Sequence, residues 1–231
     1  MLSKIQNLNY LLIFLVILIS FIGAAGLYSA AGGSYSPWAH KHLIRIVAFT
    51  FVTIFIAFLD IKLVYKYAYI IFILSLFLLL SVEIIGVFGK GATRWINIFG
   101  FNIQPSEIIK ITIILSLAKY YNDLKFSEVK KILNLFLPFL ILFIPFVLVA
   151  IQPDLGTAIS ILILGVFILF ASGVRLWKFI LGFAIAIISI PLLLNFLKPY
   201  QKDRVISFLN PEADALGMGY QLIQSKIALG S

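Results

Sequence analysis

Long apolar runs separated by short polar segments recur along the whole chain. A helix needs about 20 apolar residues to cross the hydrocarbon core of a membrane, and seven runs approach that length. They predict membrane-spanning helices near residues 8–28, 43–60, 66–88, 105–121, 132–151, 154–172 and 176–197. The predicted fold class is therefore all-α, a polytopic membrane helix bundle with about seven transmembrane helices. Residues 1–231 are expected to form a single transmembrane domain that ends in a tail over 198–231.

The composition supports a membrane protein over a soluble one. Hydrophobic residues make up 62% of the chain and charged residues 12%. Soluble domains are roughly 45–50% apolar and about 25% charged. So few charged residues could not coat a water-soluble globule of this length, which excludes the soluble globular classes.

The net charge of +9 has two possible explanations, nucleic-acid binding or control of membrane topology. Because the cations lie between apolar runs, we favour topology control, and no nucleic-acid partner is expected. With the N-terminus inside, nine lysines and arginines fall in the predicted inner segments and four in the short outer ones. The positive-inside rule then predicts an inner N-terminus and, after seven spans, an outer tail. The chain has no cysteine, which excludes disulfides and thiolate chemistry.

The tripeptide Ile-Gln-Pro occurs twice, at residues 103–105 and 151–153, each time where an apolar run begins. Proline favours the first position of a helix, so both segments predict helix starts. In the predicted topology both helices start on the outer side. Helix N-termini carry partial positive charge and bind anions, so this outer boundary is a candidate anion site.

Three charged residues close to these helix starts are candidates for chemistry. Glu107 and Lys110 lie three residues apart on the fourth span, and therefore on one face of it. Charges at membrane depth are costly and usually functional, but the two could also simply neutralise each other. Asp154 lies at the start of the sixth span, where an acid in the first turn would complement the helix dipole even without a further role.

A glycine-containing outer loop carries Lys90, Arg94 and Trp95. These side chains could contact phospholipid headgroups, with the tryptophan as an interfacial anchor. Alternatively, they could recognise a phosphorylated substrate, because arginine binds phosphate through two parallel hydrogen bonds. Taken alone, the loop favours the headgroup explanation. No metal-ligand cluster is visible in the sequence, and no metal-binding residue is assigned.

Several segments taken together resemble one family. They are Gly91-Ala-Thr-Arg-Trp-Ile, Gln104-Pro-Ser-Glu-Ile-Ile-Lys110 and Gln152-Pro-Asp-Leu-Gly-Thr-Ala158, and in the tail Tyr200-Gln, Arg204, Phe208-Leu-Asn-Pro211 and the stretch Gly219–Ser231. In this order they resemble the SEDS family of shape, elongation, division and sporulation proteins. The ending Ser-Lys-Ile-Ala-Leu-Gly-Ser is more similar to the elongation branch, the RodA type, than to the division branch.

The resemblance implies a peptidoglycan glycosyltransferase of the bacterial cytoplasmic (inner) membrane. Such a protein polymerises lipid II, the undecaprenyl-pyrophosphate-linked disaccharide peptide, and works with a class B penicillin-binding transpeptidase. The reaction requires a carboxylate base and cations that stabilise the leaving pyrophosphate. By this resemblance the catalytic candidates are Glu107 and Asp154. The substrate-binding candidates are Arg94, Lys110, Lys90, Trp95, Tyr200, Arg204, Gln221 and Gln224. No cofactor is assigned, and a divalent cation is left open.

The chain departs from the family pattern in length. The family has about ten spans and over a hundred further residues, and its favoured catalytic aspartate lies in an outer loop beyond the Gly-Ser at which this chain stops. The chain is therefore expected to correspond to the N-terminal part of a family member, without that aspartate. Two alternatives remain. One is a transporter of lipid-linked cell-wall precursors, since intramembrane charges and helices kinked by interior prolines also suit a transport path. The other is a non-catalytic scaffold.

Overall fold

The described part of the chain is largely helical. The structure, a computed structural model, describes residues 8–89, 92–98, 101–152, 154–196, 202 and 220–230. The elements in chain order are α1 Tyr10–Ala30, α2 Trp38–Phe58, α3 Ile61–Ile85, β1 Val87–Gly89, β2 Ala92–Ile98, β3 Phe101–Ile103, α4 Pro105–Asp123, α5 Phe126–Val129, a 3-10 turn Leu133–Leu135, α6 Phe136–Ile151, α7 Leu155–Ala171, α8 Leu176–Phe196 and α9 Tyr220–Leu229. The predicted helical, polytopic fold class is confirmed.

A long helix stands at each of the seven positions where the sequence predicted a span. Among the residues that the structure describes, four helical stretches are long and apolar enough to cross a membrane: Tyr10–Ala30, Trp38–Phe58, Ile61–Ile85 and Leu133–Ile151. Two further helical stretches, Leu155–Ala171 and Leu176–Ser189, are apolar but shorter. Helix α4 is 19 residues long and carries charged residues along its length. That α4, α7 and α8 also span the bilayer stays a prediction.

The sequence reasoning missed a small antiparallel sheet between α3 and α4, with strand order β1-β2-β3. The predicted outer loop around Arg94 and Trp95 is in fact β2, which pairs with β1 on one side and with β3 on the other. The end of the predicted third span was also wrong, because α3 stops at Ile85 and residues 87–89 form β1. Two residues separate each pair of strands, which is the length of the commonest hairpin connections.

Glycine makes the change from helix to sheet possible. The Gly86 N–H donates to the carbonyl oxygen of Val82 at 2.9 Å, which closes the last turn of α3. A Cβ at position 86 would collide with that same carbonyl oxygen. A residue with a side chain would therefore force the end of α3 to shift and would move β1 with it.

The chain divides into two compact units, Met1–Lys66 and Tyr67–Ser231. In the first unit α1 and α2 pack against each other, and His42 Nε2 lies 3.1 Å from the carbonyl oxygen of Ser20. Most of the large apolar side chains on both helices are exposed, with Phe51 at 70% as an example. Helices that are apolar on all sides are typical of a lipid environment.

The core of the second unit lies between α3, α4, α6 and α7. The buried cluster consists of Phe72, Leu79, Ile109, Ile113, Leu117, Ile141, Leu142, Val149, Ala158 and Ile161. Hydroxyl groups also join the helices: the Ser75 and Thr112 oxygens lie 2.7 Å apart, and Ser116 Oγ donates to the carbonyl oxygen of Ala68 at 3.3 Å. Small and hydroxyl-bearing residues at such contacts allow close helix packing in membranes.

A smaller apolar cluster marks the other end of this unit. Tyr121 near the end of α4, Val129 in α5 and Val174 after α7 are buried together. Helices α4 and α7 therefore run parallel, because their starts also meet, as described below. Helix α9, Tyr220–Leu229, lies within the predicted tail.

Candidate functional site

The candidate site is built on the N-termini of α4 and α7. Helix α4 begins at Pro105, as predicted, and Gln104 precedes it without a side-chain cap. The second start differs from the prediction: α7 begins at Leu155, so Asp154 is the N-cap rather than a residue of the first turn. Asp154 Oδ1 accepts from the Thr157 N–H at 3.4 Å. An aspartate is among the best acceptors for the free N–H groups of a helix start.

A side-chain hydrogen bond joins the two helix starts. Gln104 Nε2 donates to Asp154 Oδ2 at 3.2 Å. This contact confirms the prediction that the two Ile-Gln-Pro segments place their helix starts at the same end of the bundle. Each carboxylate oxygen of Asp154 therefore has a protein donor, Thr157 for one and Gln104 for the other.

Arg94 on β2 completes the cluster. Its NH1 lies 3.8 Å from Asp154 Oδ1, and its Nε donates to the carbonyl oxygen of Gln152 at 3.4 Å. The side chains of Arg94 and Asp154 are only 15% and 13% exposed. The guanidinium lies beside the C-terminal cap of α6, and the carboxylate lies at the N-terminus of α7. Each charge thus complements the partial charge of its helix end.

Gln152 connects this cluster to α3. Its side chain is buried, and its Nε2 donates to the carbonyl oxygen of Leu79 at 3.0 Å. Sequence reasoning missed both Gln104 and Gln152 as site residues. The repeated Ile-Gln-Pro was the signal that could have found them, but it was interpreted only through its prolines. The glutamines supply the cross-links, because a primary amide can donate and accept at once.

Glu107 and Lys110 form the predicted pair on α4. Lys110 Nζ lies 2.8 Å from Glu107 Oε1, so the expected mutual neutralisation is present. The Glu107 side chain is 57% exposed and the Lys110 side chain 22%. Glu107 lies three residues beyond Gln104, so the pair lies one turn past the start of α4, where Gln104 contacts Asp154. This accessible pair can reach a ligand, whereas the Arg94–Asp154 pair faces inward.

The other predicted site residues are dispersed or fall outside the described residues. Trp95 follows Arg94 on β2 and is 40% exposed. Gln224 lies on the exposed surface of α9. Lys90, Tyr200 and Arg204, and the side chain of Gln221, lie outside the described residues. Among the residues that the structure describes, no group of three or more histidine, aspartate or glutamate side chains could hold a metal ion.

Comparison with known proteins gives a consistent family match. The family model of the FtsW, RodA and SpoVE type, described as "Cell cycle protein", matches residues 4–231. Over 165 residues the chain is 42% identical to peptidoglycan glycosyltransferase MrdB of Escherichia coli strain K12, a match that covers 70% of this chain and 43% of MrdB. It is 36% identical over 236 residues to the probable peptidoglycan glycosyltransferase FtsW of Wigglesworthia glossinidia brevipalpis, covering 98% of this chain and 61% of that protein.

Two solved structures share the fold. A chain from a peptidoglycan synthase complex, described as coordinating polymerization and crosslinking, superimposes with a TM-score of 0.82 at 31% identity. The match covers 97% of this chain and 66% of that one. The rod shape determining protein RodA of Thermus thermophilus gives a TM-score of 0.66 at 26% identity, covering 79% and 60%. The chain thus spans about two thirds or less of the relatives it matches.

Proposed function

The chain belongs to the family of FtsW, RodA and SpoVE cell cycle proteins, and from this premise we propose that it is the N-terminal part of a peptidoglycan glycosyltransferase that polymerises lipid II for cell elongation. The family and the apolar helices identify a multi-pass protein of the bacterial inner membrane. In this proposal residues 1–231 form one transmembrane region, with the N-terminus inside and the candidate site at the outer boundary. Support comes from relatives that carry this activity in their names.

The observation that carries the proposal is the position of the Glu107–Lys110 pair beside the α4 start. The N-terminus of α4 has no side-chain cap, unlike that of α7. The Lys110 ammonium group, close to the positive end of the α4 dipole, suits the oxygens of a pyrophosphate. We assign Lys110 to that role. The exposed Glu107 carboxylate is the group that could accept a proton from an attacking sugar hydroxyl.

Arg94 and Asp154 have a positioning role in this proposal. Both are largely buried, and Asp154 already accepts hydrogen bonds from Gln104 and from the start of α7. They hold the starts of α4 and α7 together. In this way they fix the position of Lys110 at the membrane boundary. Of the two acids predicted from the sequence, Glu107 is therefore the stronger candidate for contact with substrate. No divalent cation is given a site.

The partner in this proposal is a class B penicillin-binding transpeptidase. One solved relative comes from a peptidoglycan synthase complex that coordinates polymerization and crosslinking. A polymerase that makes glycan strands at the outer face of the inner membrane needs a neighbouring enzyme that crosslinks them. Co-purification of the chain with such a transpeptidase would test this part of the proposal.

The activity is tested with a chimera, because the chain spans only part of its relatives. Residues 1–231 are joined to the remaining C-terminal part of Escherichia coli MrdB, and the purified chimera is incubated with lipid II. We expect glycan strands, visible by gel electrophoresis. Glu107→Gln and Lys110→Met in the chimera should each lower the rate by about 100-fold or more, the usual contribution of a general base or of a charge stabiliser.

Lys62→Gln is the matched control, because Lys62 is exposed in the first unit, remote in sequence from the site. It should leave the rate unchanged. If both Glu107→Gln and Lys110→Met polymerised lipid II at the wild-type rate, the pair would have no role in the reaction. It would then only neutralise the two charges of α4 within the membrane. A wild-type chimera that inserts and binds the transpeptidase without making glycan would favour a scaffold. A wild-type chimera that moves lipid II across a vesicle membrane without polymerising it would favour a transporter.

A further inference from the structure

An apolar groove runs between α6, α7 and α8 in the second unit. It encloses about 840 Å³, and phenylalanines contribute to all three of its walls, among them Phe139, Phe167 and Phe183. Among the described residues that line it, Lys178 is the one that carries a charge. The groove is therefore shaped for a hydrocarbon chain and has a cation at one edge.

One end of the groove coincides with the small apolar cluster at the end of α7. Val174 and Phe179 belong both to the groove lining and to that cluster, which also holds Val129 of α5. The Lys178 ammonium donates to the carbonyl oxygens of Lys130 and Lys131, at 3.1 and 3.3 Å. These bonds bring the polypeptide after α5 to the mouth of the groove.

The surroundings of the groove mouth are strongly cationic. Residues 119–131 and 173–178 together carry six lysines and arginines and two acids. Lys130, Lys131 and Arg175 are exposed. One of the two acids, Glu128, lies 3.6 Å from Lys131, an exposed contact that offsets only one of the cations. This end is opposite to the candidate active site, because Asp154 starts α7 and Val174 follows its end.

The depth of the groove matches one membrane leaflet. On α8 it extends from Lys178 to Ala186. Those nine residues are separated by eight steps of about 1.5 Å, a total rise of about 12 Å. Half of a hydrocarbon core of about 30 Å is about 15 Å. An acyl chain that starts at the basic mouth would thus remain within a single leaflet, which under the positive-inside prediction is the cytoplasmic one, where anionic lipids are enriched.

We propose that this groove binds an anionic phospholipid of that leaflet, with an acyl chain between α6, α7 and α8 and the phosphate among Lys130, Lys131 and Arg175. The site is separate from the proposed glycosyltransferase site. It joins the α5 segment, the α7–α8 turn and α8 through one ligand. It does not depend on the identity of the reaction at the other end of the bundle.

The test measures lipid selectivity by native mass spectrometry of the purified full chain. The chain is mixed with equal amounts of dioleoyl phosphatidylglycerol and dioleoyl phosphatidylcholine, and the bound lipids are counted. We expect a preference for phosphatidylglycerol. The double variant Lys130→Gln, Arg175→Gln should lower that preference by about fivefold for each cation removed, since a basic residue near an anionic surface contributes about 1 kcal/mol.

A second variant tests the groove itself. A Cβ at Gly182, which lines the groove, would meet nothing within 4 Å, so Gly182→Trp places a bulky side chain in the groove from an open position. It should lower phosphatidylglycerol binding several-fold. The controls are Lys41→Gln with Lys62→Gln for charge and Gly26→Trp for bulk, all at exposed positions in the first unit. The controls should retain the wild-type preference.

Three outcomes would overturn the proposal. One is equal binding of the two lipids by the wild-type chain. Another is an unchanged preference in the double variant or in Gly182→Trp, with the helical circular dichroism signal retained. The third is a dimer of the chain that Gly182→Trp dissociates without any change in bound lipid, which would show that a second copy occupies the groove.

Discussion

Two carboxylates of the candidate site, Asp154 and Glu107, have the same chemistry but different surroundings. Asp154 is 13% exposed and lies between an arginine, a glutamine amide and a helix N-terminus. Glu107 is 57% exposed and is paired with Lys110 across one helical turn. A buried charge needs such partners, because the interior cannot solvate it as water does. An exposed charge such as Glu107 remains accessible to a ligand even in its ion pair, so the same residue type serves structure in one place and is available for chemistry in the other.

Removal of the Asp154 carboxylate should destabilise the fold. Asp154→Ala removes a helix cap, which costs about 1 kcal/mol. It also leaves the Gln104 amide without its acceptor and Arg94 without its acid, which adds about 1–3 kcal/mol. Asp154→Asn retains an acceptor for the Thr157 N–H and should cost less. The measurement is the free energy of unfolding of the purified chain in detergent.

The control for this prediction is Glu128→Ala, at an exposed pair with Lys131. Exposed pairs contribute about 0–1 kcal/mol, so this variant should be close to wild type. If Asp154→Ala unfolded no more readily than Glu128→Ala, the Arg94–Asp154–Gln104 cluster would not hold the two helix starts together.

At the scale of elements, helices were predictable and strands were not. A span needs a long apolar run, and that signal is strong enough to locate α1 to α4 and α6 to α8 from composition alone. The strands between Gly86 and Gln104 are three to seven residues long. Each strand pairs with a neighbouring strand, and the pattern of apolar residues within a single segment does not reveal which strand that is. The contact of Arg94 with Asp154 depends on that pairing, so the sequence could nominate both residues but could not join them.

Close packing of α6 and α7 depends on a glycine that no sequence motif singled out. A Cβ at Gly165 would collide with the side chain of Leu142, which is itself buried. Gly165→Val should therefore lower the free energy of unfolding by about 1–3 kcal/mol, the usual cost of overpacking. Gly156→Val is the matched control on the same helix, because a Cβ there meets nothing within 4 Å. Thermal unfolding of both variants in detergent measures the difference.

A second substitution shows whether the collision is the cause. In Gly165→Val combined with Leu142→Ala, the smaller side chain makes room for the added valine. The combined loss should be smaller than the sum of the two single losses, as expected for residues in contact. Additive losses would mean that Gly165→Val acts through the backbone of α7 and not through the α6–α7 contact.

At the scale of the whole molecule, charge separates the two ends of the second unit. The α4 and α7 starts hold the candidate site, and the α5 segment and the α7–α8 turn hold the basic groove mouth. The positive-inside rule assigns the more basic end to the cytoplasm. A site at the opposite end then faces the outer side, where a lipid-linked sugar substrate would have to be polymerised. The proposed reaction and the proposed lipid site thus depend on the same orientation.

That orientation can be measured because the chain has no cysteine, so each introduced thiol is unique. Asn97→Cys on β2 places one near the candidate site, and Ser127→Cys on α5 places one at the basic end; both positions are exposed. In intact spheroplasts a membrane-impermeant maleimide should label Asn97→Cys and leave Ser127→Cys unlabelled until the membrane is permeabilised. Ser34→Cys, in the first predicted outer segment, should react like Asn97→Cys. The reverse pattern would place the Glu107–Lys110 pair in the cytoplasm, away from the compartment where glycan strands are built, and the glycosyltransferase proposal would fail with the topology.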